Sequence, residues 1–177
     1  MSPTRPQWDG AAPERGPLTL VRTSADSRRA ADVMRPFTDH VMAQLIHVER
    51  GLTVIEAGLA GSEGLRGFDE RFRTIADAAA PVGQTLMQEV AGEAEMLVVV
   101  FSGRPKSFGP VQADVVRHVV DVLSLMVHDL RRRLENKPPA NVSGAAVMVR
   151  ERMRHALREI GHQEIPPVDA ASRGGRG

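Results

Sequence analysis

The chain has 177 residues, of which 42% are hydrophobic and 25% are charged, and its formal net charge is +1. This length and composition are typical of one globular domain, and so small a net charge gives no global attraction to nucleic acid or to an anionic membrane. The chain contains no cysteine, which excludes disulfides, thiolate metal sites and cysteine nucleophiles.

Both ends of the chain lack the apolar pattern of a folded core. Residues 1–16 hold three prolines and one tryptophan, and residues 167–177 are rich in glycine and arginine. We therefore predict a flexible arm at 1–16, a single globular domain at 17–166 and a flexible tail at 167–177. Because no signal-peptide core and no run of about 18 apolar residues occurs, we expect a cytoplasmic protein without membrane contact. The abundance of arginine and alanine over lysine indicates a GC-rich bacterial source.

The first elements are predicted from alternation and helical spacing. Residues 17–23 alternate apolar and polar side chains like a short strand, and a helix is expected to begin near Ala25. Pro36 should kink or break this helix near Arg35. The helix is then expected to resume, because apolar residues return at helical spacing at Phe37, Val41, Leu45 and Val48.

The segment 45–58 fits two predictions. It can form two strands that turn at Arg50 and Gly51, or it can continue the helix. Gly51 and Gly58 would each destabilise a helix by about 1 kcal/mol relative to alanine, which favours the hairpin. A clearer helix follows before Pro81, with an apolar stripe at Phe68, Phe72, Ile75 and Ala79.

The continuous apolar run 95–101 is predicted to be the central strand of a sheet, bounded by Gly92 and Gly103. The longest helix is expected from Pro110 to about Lys137, and a last helix from about 143 to 160. The fold class predicted from these elements is α/β, with a small central sheet flanked by four or five helices. The alternative is an all-α helical bundle, in which 45–58 is helical.

Two family resemblances support the sheet. Residues 96–108, which contain Arg104-Pro105-Lys106-Ser107-Phe108, followed by 115–134, resemble the C-terminal end of a GAF domain, where a last central strand leads through an Arg-Pro-x-x-Phe loop into a long helix. The GAF-like region spans 96–135. A weaker resemblance, to roadblock/LC7 modules, rests on 45–58 as a hairpin followed by helix 68–90 and strand 96–101. Both resemblances imply a central sheet flanked by helices.

The helix expected from Pro110 to Lys137 carries a candidate dimer seam. Six of its apolar residues follow spacings of four, three, four, three and four, the heptad period of a coiled-coil seam. The six residues are Val116, Val120, Leu123, Val127, Leu130 and Leu134. A second apolar stripe lies beside the seam, at Val115, Val119, Val122 and Met126. We predict a homodimer through this wide apolar face; the alternative is that the last helix covers it within the same chain.

Polar residues give no strong catalytic or metal-binding pattern. His40 and His47 would lie about 10 Å apart along a helix, too far to share one metal ion. Asp114 and His118, or His118 and Asp121, have chelating spacing but no third ligand. No nucleophile elbow or phosphate-binding loop occurs, so we predict no metal site, no catalytic residue and no cofactor.

The last predicted helix carries a candidate basic patch, formed by Arg150, Arg152, Arg154 and Arg158. Such a cluster could contact phosphates, although nearby glutamates dilute it. The sequence thus favours a non-catalytic bacterial regulatory or sensory module that acts through dimerisation and protein contacts, with a small ligand as an option. The alternative function is a helical DNA-associated or adaptor protein, and an enzyme with an unrecognised site comes third.

Overall fold

The computed structural model describes residues 24–58, 62–104 and 108–162. These residues are 85% helical and contain no strand, so the predicted α/β fold is wrong and the all-α alternative is confirmed. The helices are α1 Ser24–Glu56, α2 Phe68–Ala79, α3 Thr85–Gly103, α4 Pro110–Leu134 and α5 Val142–His162, with a 3-10 turn at Ser62–Leu65.

The first four helices form an up-and-down bundle, and α5 packs outside it. Helix α1 contacts α2 and α4, α3 contacts α2 and α4, and α5 lies against α3 and α4. Arg131, near the end of α4, pairs with Asp39 of α1, whereas Arg117, near the start of α4, pairs with Glu56 at the end of α1. Helices α1 and α4 are therefore antiparallel, as expected for neighbours in such a bundle.

Each helix buries an apolar stripe at spacings of three and four residues. In α2 the buried residues are Phe68, Phe72, Ile75 and Ala79, as the sequence predicted. The stripe of α1 runs through Phe37, Val41, Leu45, Val48 and Leu52, all buried. Removal of these aliphatic and aromatic side chains from water is the main stabilising contribution to the bundle.

The predicted hairpin at 45–58 is wrong, because this segment is helical as far as Glu56. Gly51 lies where α1 approaches α2: a Cβ atom there would lie 2.5 Å from the ring of Phe68. The glycine thus permits close helix packing and does not form a turn. Pro36 also lies inside an unbroken α1, so helix α1 is not broken near Arg35.

The predicted strand at 95–101 is wrong as well, because these residues belong to α3. Leu97, Val98 and Phe101 are buried, whereas Met96 is 65% exposed and Val99 is 50% exposed. The positions of buried and exposed side chains along this segment follow a helical period, because a strand would expose every second residue. Among the described residues, the central strand and the sheet implied by the GAF and roadblock resemblances are therefore not formed. The strand predicted at 17–23, the arm and the tail lie outside the described residues.

The helices predicted at 110–137 and 143–160 are confirmed as α4 and α5. The buried carboxylate of Asp129 connects them: it accepts the backbone N–H of Ala140 at 2.5 Å and an Nη2–H of Arg133 at 2.7 Å. This connection fixes the turn after α4, so that α5 runs back along α4.

Candidate functional site

The predicted dimer seam lies inside the chain's own core. Five of its six residues are at most 9% exposed, namely Val116, Val120, Leu123, Val127 and Leu130, and Leu134 is half-buried. In the same helix Val115, Val119 and Met126 of the second stripe are also buried. A second copy could reach this seam only if the bundle opened. The homodimer itself stays a prediction, and it requires a different surface.

The predicted basic patch is divided between two sides of α5. Arg150 and Arg154 point towards α3, whereas Arg152 points towards α4, and each of the three has an acidic partner. The partners are Glu89 and Glu93 for Arg150, Asp114 for Arg152, and Glu151 for Arg154. The hydrogen bond that Arg150 donates to the carboxylate of Glu93 raises the pKa of Arg150 above its ordinary value. Arg158 donates only to the carbonyl of Arg154, so the four arginines do not form one cationic surface.

A groove between the first half of α4 and the last half of α5, here named the α4–α5 groove, is the leading candidate site. Its volume is about 510 Å³, and its apolar floor is formed by Val111, Val115 and Ala156. Val111 is 64% exposed. Charged side chains of both signs form the rim: Asp114, Glu151, Arg152, His155, Arg158 and Glu159.

Hydrogen bonds through His118, which lies beside the groove, join Asp114 of α4 to Arg152 of α5. Nδ1 of His118 lies 2.8 Å from the carbonyl oxygen of Asp114, and Nη1 of Arg152 lies 2.9 Å from Nε2 of His118. Because the guanidinium can only donate, Nε2 must accept, and Nδ1–H donates to the carbonyl. His118 therefore bridges α4 and α5.

The remaining rim charges are paired, with one exception. Nε2 of His155 lies 3.2 Å from Glu159, and Glu151 pairs with Arg154. Among the residues that the structure describes, Arg158 is the one cation of this rim without an acidic partner. The groove thus combines an apolar floor with one unpaired positive charge.

A smaller pocket of about 260 Å³ lies between α1 and α2, and it includes His47, Arg66 and Arg71. Arg71 donates to Gln44 at 3.0 Å and so also joins the two helices. Within the described ranges no group of three histidine, aspartate or glutamate side chains could hold a metal ion. His40 and His47 are both exposed on α1.

No protein-family model, no curated protein and no solved structure matches the chain. The fold and the groove therefore define the class only as an all-α helical bundle with an open interhelical groove. Over 24–58, 62–104 and 108–162, none of the helices combines the length and apolar character needed to cross a bilayer.

Sequence reasoning missed the α4–α5 groove, although Val111 gave a signal. This valine lies four residues before Val115 and so extends the second apolar stripe of α4, yet it is 64% exposed whereas Val115 is buried. The spacing of Asp114 and His118 suits metal chelation, but in the structure His118 contacts Asp114 and, from α5, Arg152. Sequence spacing within one helix cannot predict this contact with a second helix.

Proposed function

We propose that the protein is a non-catalytic helical adaptor whose α4–α5 groove binds a short amphipathic helix of a partner protein. The observation that carries the proposal is the groove of about 510 Å³ between two helices, in which Val111 is 64% exposed beside the buried side chains of Val115 and Ala156. Helices that bind in such grooves insert apolar side chains at i, i+3, i+4 and i+7, while their polar face stays in water.

The charges of the rim define the chemistry of the partner helix. Arg152, His155 and Glu151 are held by neighbouring side chains, so a partner would have to break those contacts to pair with them. Arg158 is available without such a loss. The partner helix should therefore carry an acidic residue beside its apolar face, because charge complementarity favours association and fixes orientation.

In this function the protein acts through contacts with another protein, as the sequence also favoured. It does not act as a sensory module that binds a small ligand against a sheet. An adaptor is also favoured over a DNA-associated protein. Phosphate binding requires cations that can neutralise phosphates and so release the counterions condensed on the nucleic acid, whereas Arg150, Arg152 and Arg154 already pair with carboxylates of the same chain.

The test uses two designed helical peptides with identical leucines at i, i+3, i+4 and i+7. One peptide carries glutamates beside the leucines, and the other carries lysines at the same positions. Fluorescence anisotropy should show the acidic peptide binding with a Kd of about 10–100 µM, and the lysine peptide binding at least about tenfold more weakly.

Two variants locate the binding on the protein. Val111→Glu should abolish binding of the acidic peptide, and Arg158→Glu should reverse the preference between the two peptides. Val54→Glu is the matched control, because Val54 is an exposed valine of α1, 42% exposed, outside the groove. If both peptides bind equally, or if Val111→Glu leaves the affinity unchanged, the groove is not the binding site.

A further inference from the structure

The outer face of α3 carries an exposed apolar stripe that no helix of the described chain covers. The stripe consists of Gly92, Met96, Val99 and Gly103, at spacings of four, three and four residues. Met96 is 65% exposed and Val99 is 50% exposed. These four residues, here named the α3 stripe, lie between two ion pairs, Arg73 with Glu95 on the α2 side and Arg150 with Glu93 on the α5 side.

Packing within the chain does not explain the two glycines of the stripe. A Cβ atom at Gly92 or Gly103 would meet nothing within 4 Å, and neither residue has a positive φ. Gly92 lies in the interior of α3, where glycine lowers helix stability relative to alanine. Glycine on the surface of a helix does, however, allow a second helix to approach closely.

We propose that the α3 stripe is the interface of a homodimer in which the two α3 helices pack antiparallel about a twofold axis. The order glycine, methionine, valine, glycine is symmetric in position about the midpoint between Met96 and Val99. An axis at this midpoint places Gly92 opposite Gly103 of the partner subunit and Met96 opposite Val99 of the partner subunit. A twofold interface requires such self-complementarity, because the same surface serves both copies.

The charges beside the stripe agree with the antiparallel arrangement. Arg73 of α2 lies level with Glu95, to which it donates at 2.8 Å. Asp69 lies four residues before Arg73 in α2, close enough for its charge to act on the Arg73 guanidinium. Because neighbouring helices of the bundle are antiparallel, this earlier turn of α2 comes level with a later turn of α3. Arg73 and Asp69 lie at heights along α3 on opposite sides of the twofold axis. The axis exchanges those heights, so Arg73 of one subunit lies beside Asp69 of the partner subunit. Opposite charges therefore face each other along this edge.

The interface area sets the strength of the dimer. A stable interface buries about 800 Å² on each partner, which the exposed parts of Met96 and Val99 alone do not provide. Val147, which is 62% exposed and one turn before Arg150 in α5, extends the apolar surface. We expect a weak dimer with a Kd of about 10–100 µM. This surface differs from the α4–α5 groove, so the two proposals can fail independently.

Sedimentation equilibrium across a range of about 1–300 µM tests the dimer. The full chain should move from monomer to dimer, and Met96→Glu should raise the dimer Kd at least about tenfold. Val54→Glu, outside the stripe, should leave the Kd unchanged. Gly92→Leu should also weaken the dimer while the monomer remains folded by circular dichroism. A wild-type chain that stays monomeric throughout, or a Met96→Glu variant that dimerises normally, overturns the proposal.

The absence of cysteine allows a direct test of orientation. Met96→Cys and Val99→Cys are prepared separately, mixed and oxidised, and the disulfide-linked species are identified by mass. The antiparallel arrangement brings position 96 opposite position 99 of the partner, so the mixed disulfide should exceed both self-disulfides. An excess of self-disulfides of each variant would indicate a parallel arrangement and overturn the proposal. The absence of any disulfide would also overturn the proposal.

Discussion

Truncation of Leu123 to alanine tests whether the heptad seam of α4 belongs to the core of one chain. Leu123 is 0% exposed at the middle of α4, whereas Leu125, two residues later on the same helix, is 36% exposed. Leu→Ala at a fully buried site destabilises a protein by about 3–5 kcal/mol, through lost transfer energy and the cavity left behind. At Leu125 only part of the side chain leaves water, and the expected loss is about 1 kcal/mol.

These free energies correspond to measurable shifts in melting temperature. For a chain of this size, 1 kcal/mol lowers the Tm by about 2–4 °C, so Leu123→Ala should lower it by about 6–20 °C and Leu125→Ala by a few degrees. Thermal melts followed by circular dichroism should give the same difference at about 2 µM and about 200 µM protein, because the lost contacts lie within one chain. A Leu123→Ala variant that keeps the wild-type Tm, or whose loss depends on protein concentration, would contradict this account of α4.

Three further predictions concern single contacts. Asp129→Ala should lower the free energy of unfolding in urea by about 2–4 kcal/mol, because a buried backbone N–H and a charge-assisted bond lose their acceptor; a loss below about 1 kcal/mol would contradict this. Gly51→Ala should destabilise by about 1 kcal/mol, since the clash with Phe68 outweighs the gain in helix propensity, and Phe68→Leu in the same chain should restore stability. The hydrogen bond that Lys137 donates lowers the pKa of Glu135 below its ordinary value. This contact slightly stabilises the folded chain at pH values above the pKa of Glu135 in the unfolded chain, and the stabilisation is lost as pH falls through the pKa of Glu135 in the folded chain. In NMR titration Lys137→Gln should raise that pKa, and an unchanged value would exclude the contact.

Helix spacing could be predicted from the sequence where polar residues separate the apolar ones. The buried stripe of α2 and the extents of α4 and α5 were predicted within a few residues for this reason. In α3 every residue from 97 to 101 is apolar, so the helical period cannot be recognised within this run. The period is visible only in a longer segment that begins at Met87, because buried residues then recur at three and four residues through Val90, Ala94, Leu97 and Phe101.

Other errors arose because residue preferences describe local conformation, whereas packing between helices decides the outcome. Gly51 favours a turn in isolation, yet here it makes room for Phe68. The heptad period of α4 correctly predicts a buried seam, but a period contains no information on whether the covering helix belongs to the same chain. The groove beside Val111 also depends on the position of α5, which spacing in α4 cannot give.

The odd number of helices places the two ends of the described bundle far apart. Because α1 and α5 both run antiparallel to α4, they are parallel to each other, so the chain enters at one end of the bundle and leaves at the other. Helix α1 alone has 33 residues, which span about 50 Å at 1.5 Å per residue. The bundle is therefore a spacer: two domains fused directly to residues 24 and 162 would be held on opposite sides of it. A linker that joined these two positions would need at least about 15 extended residues.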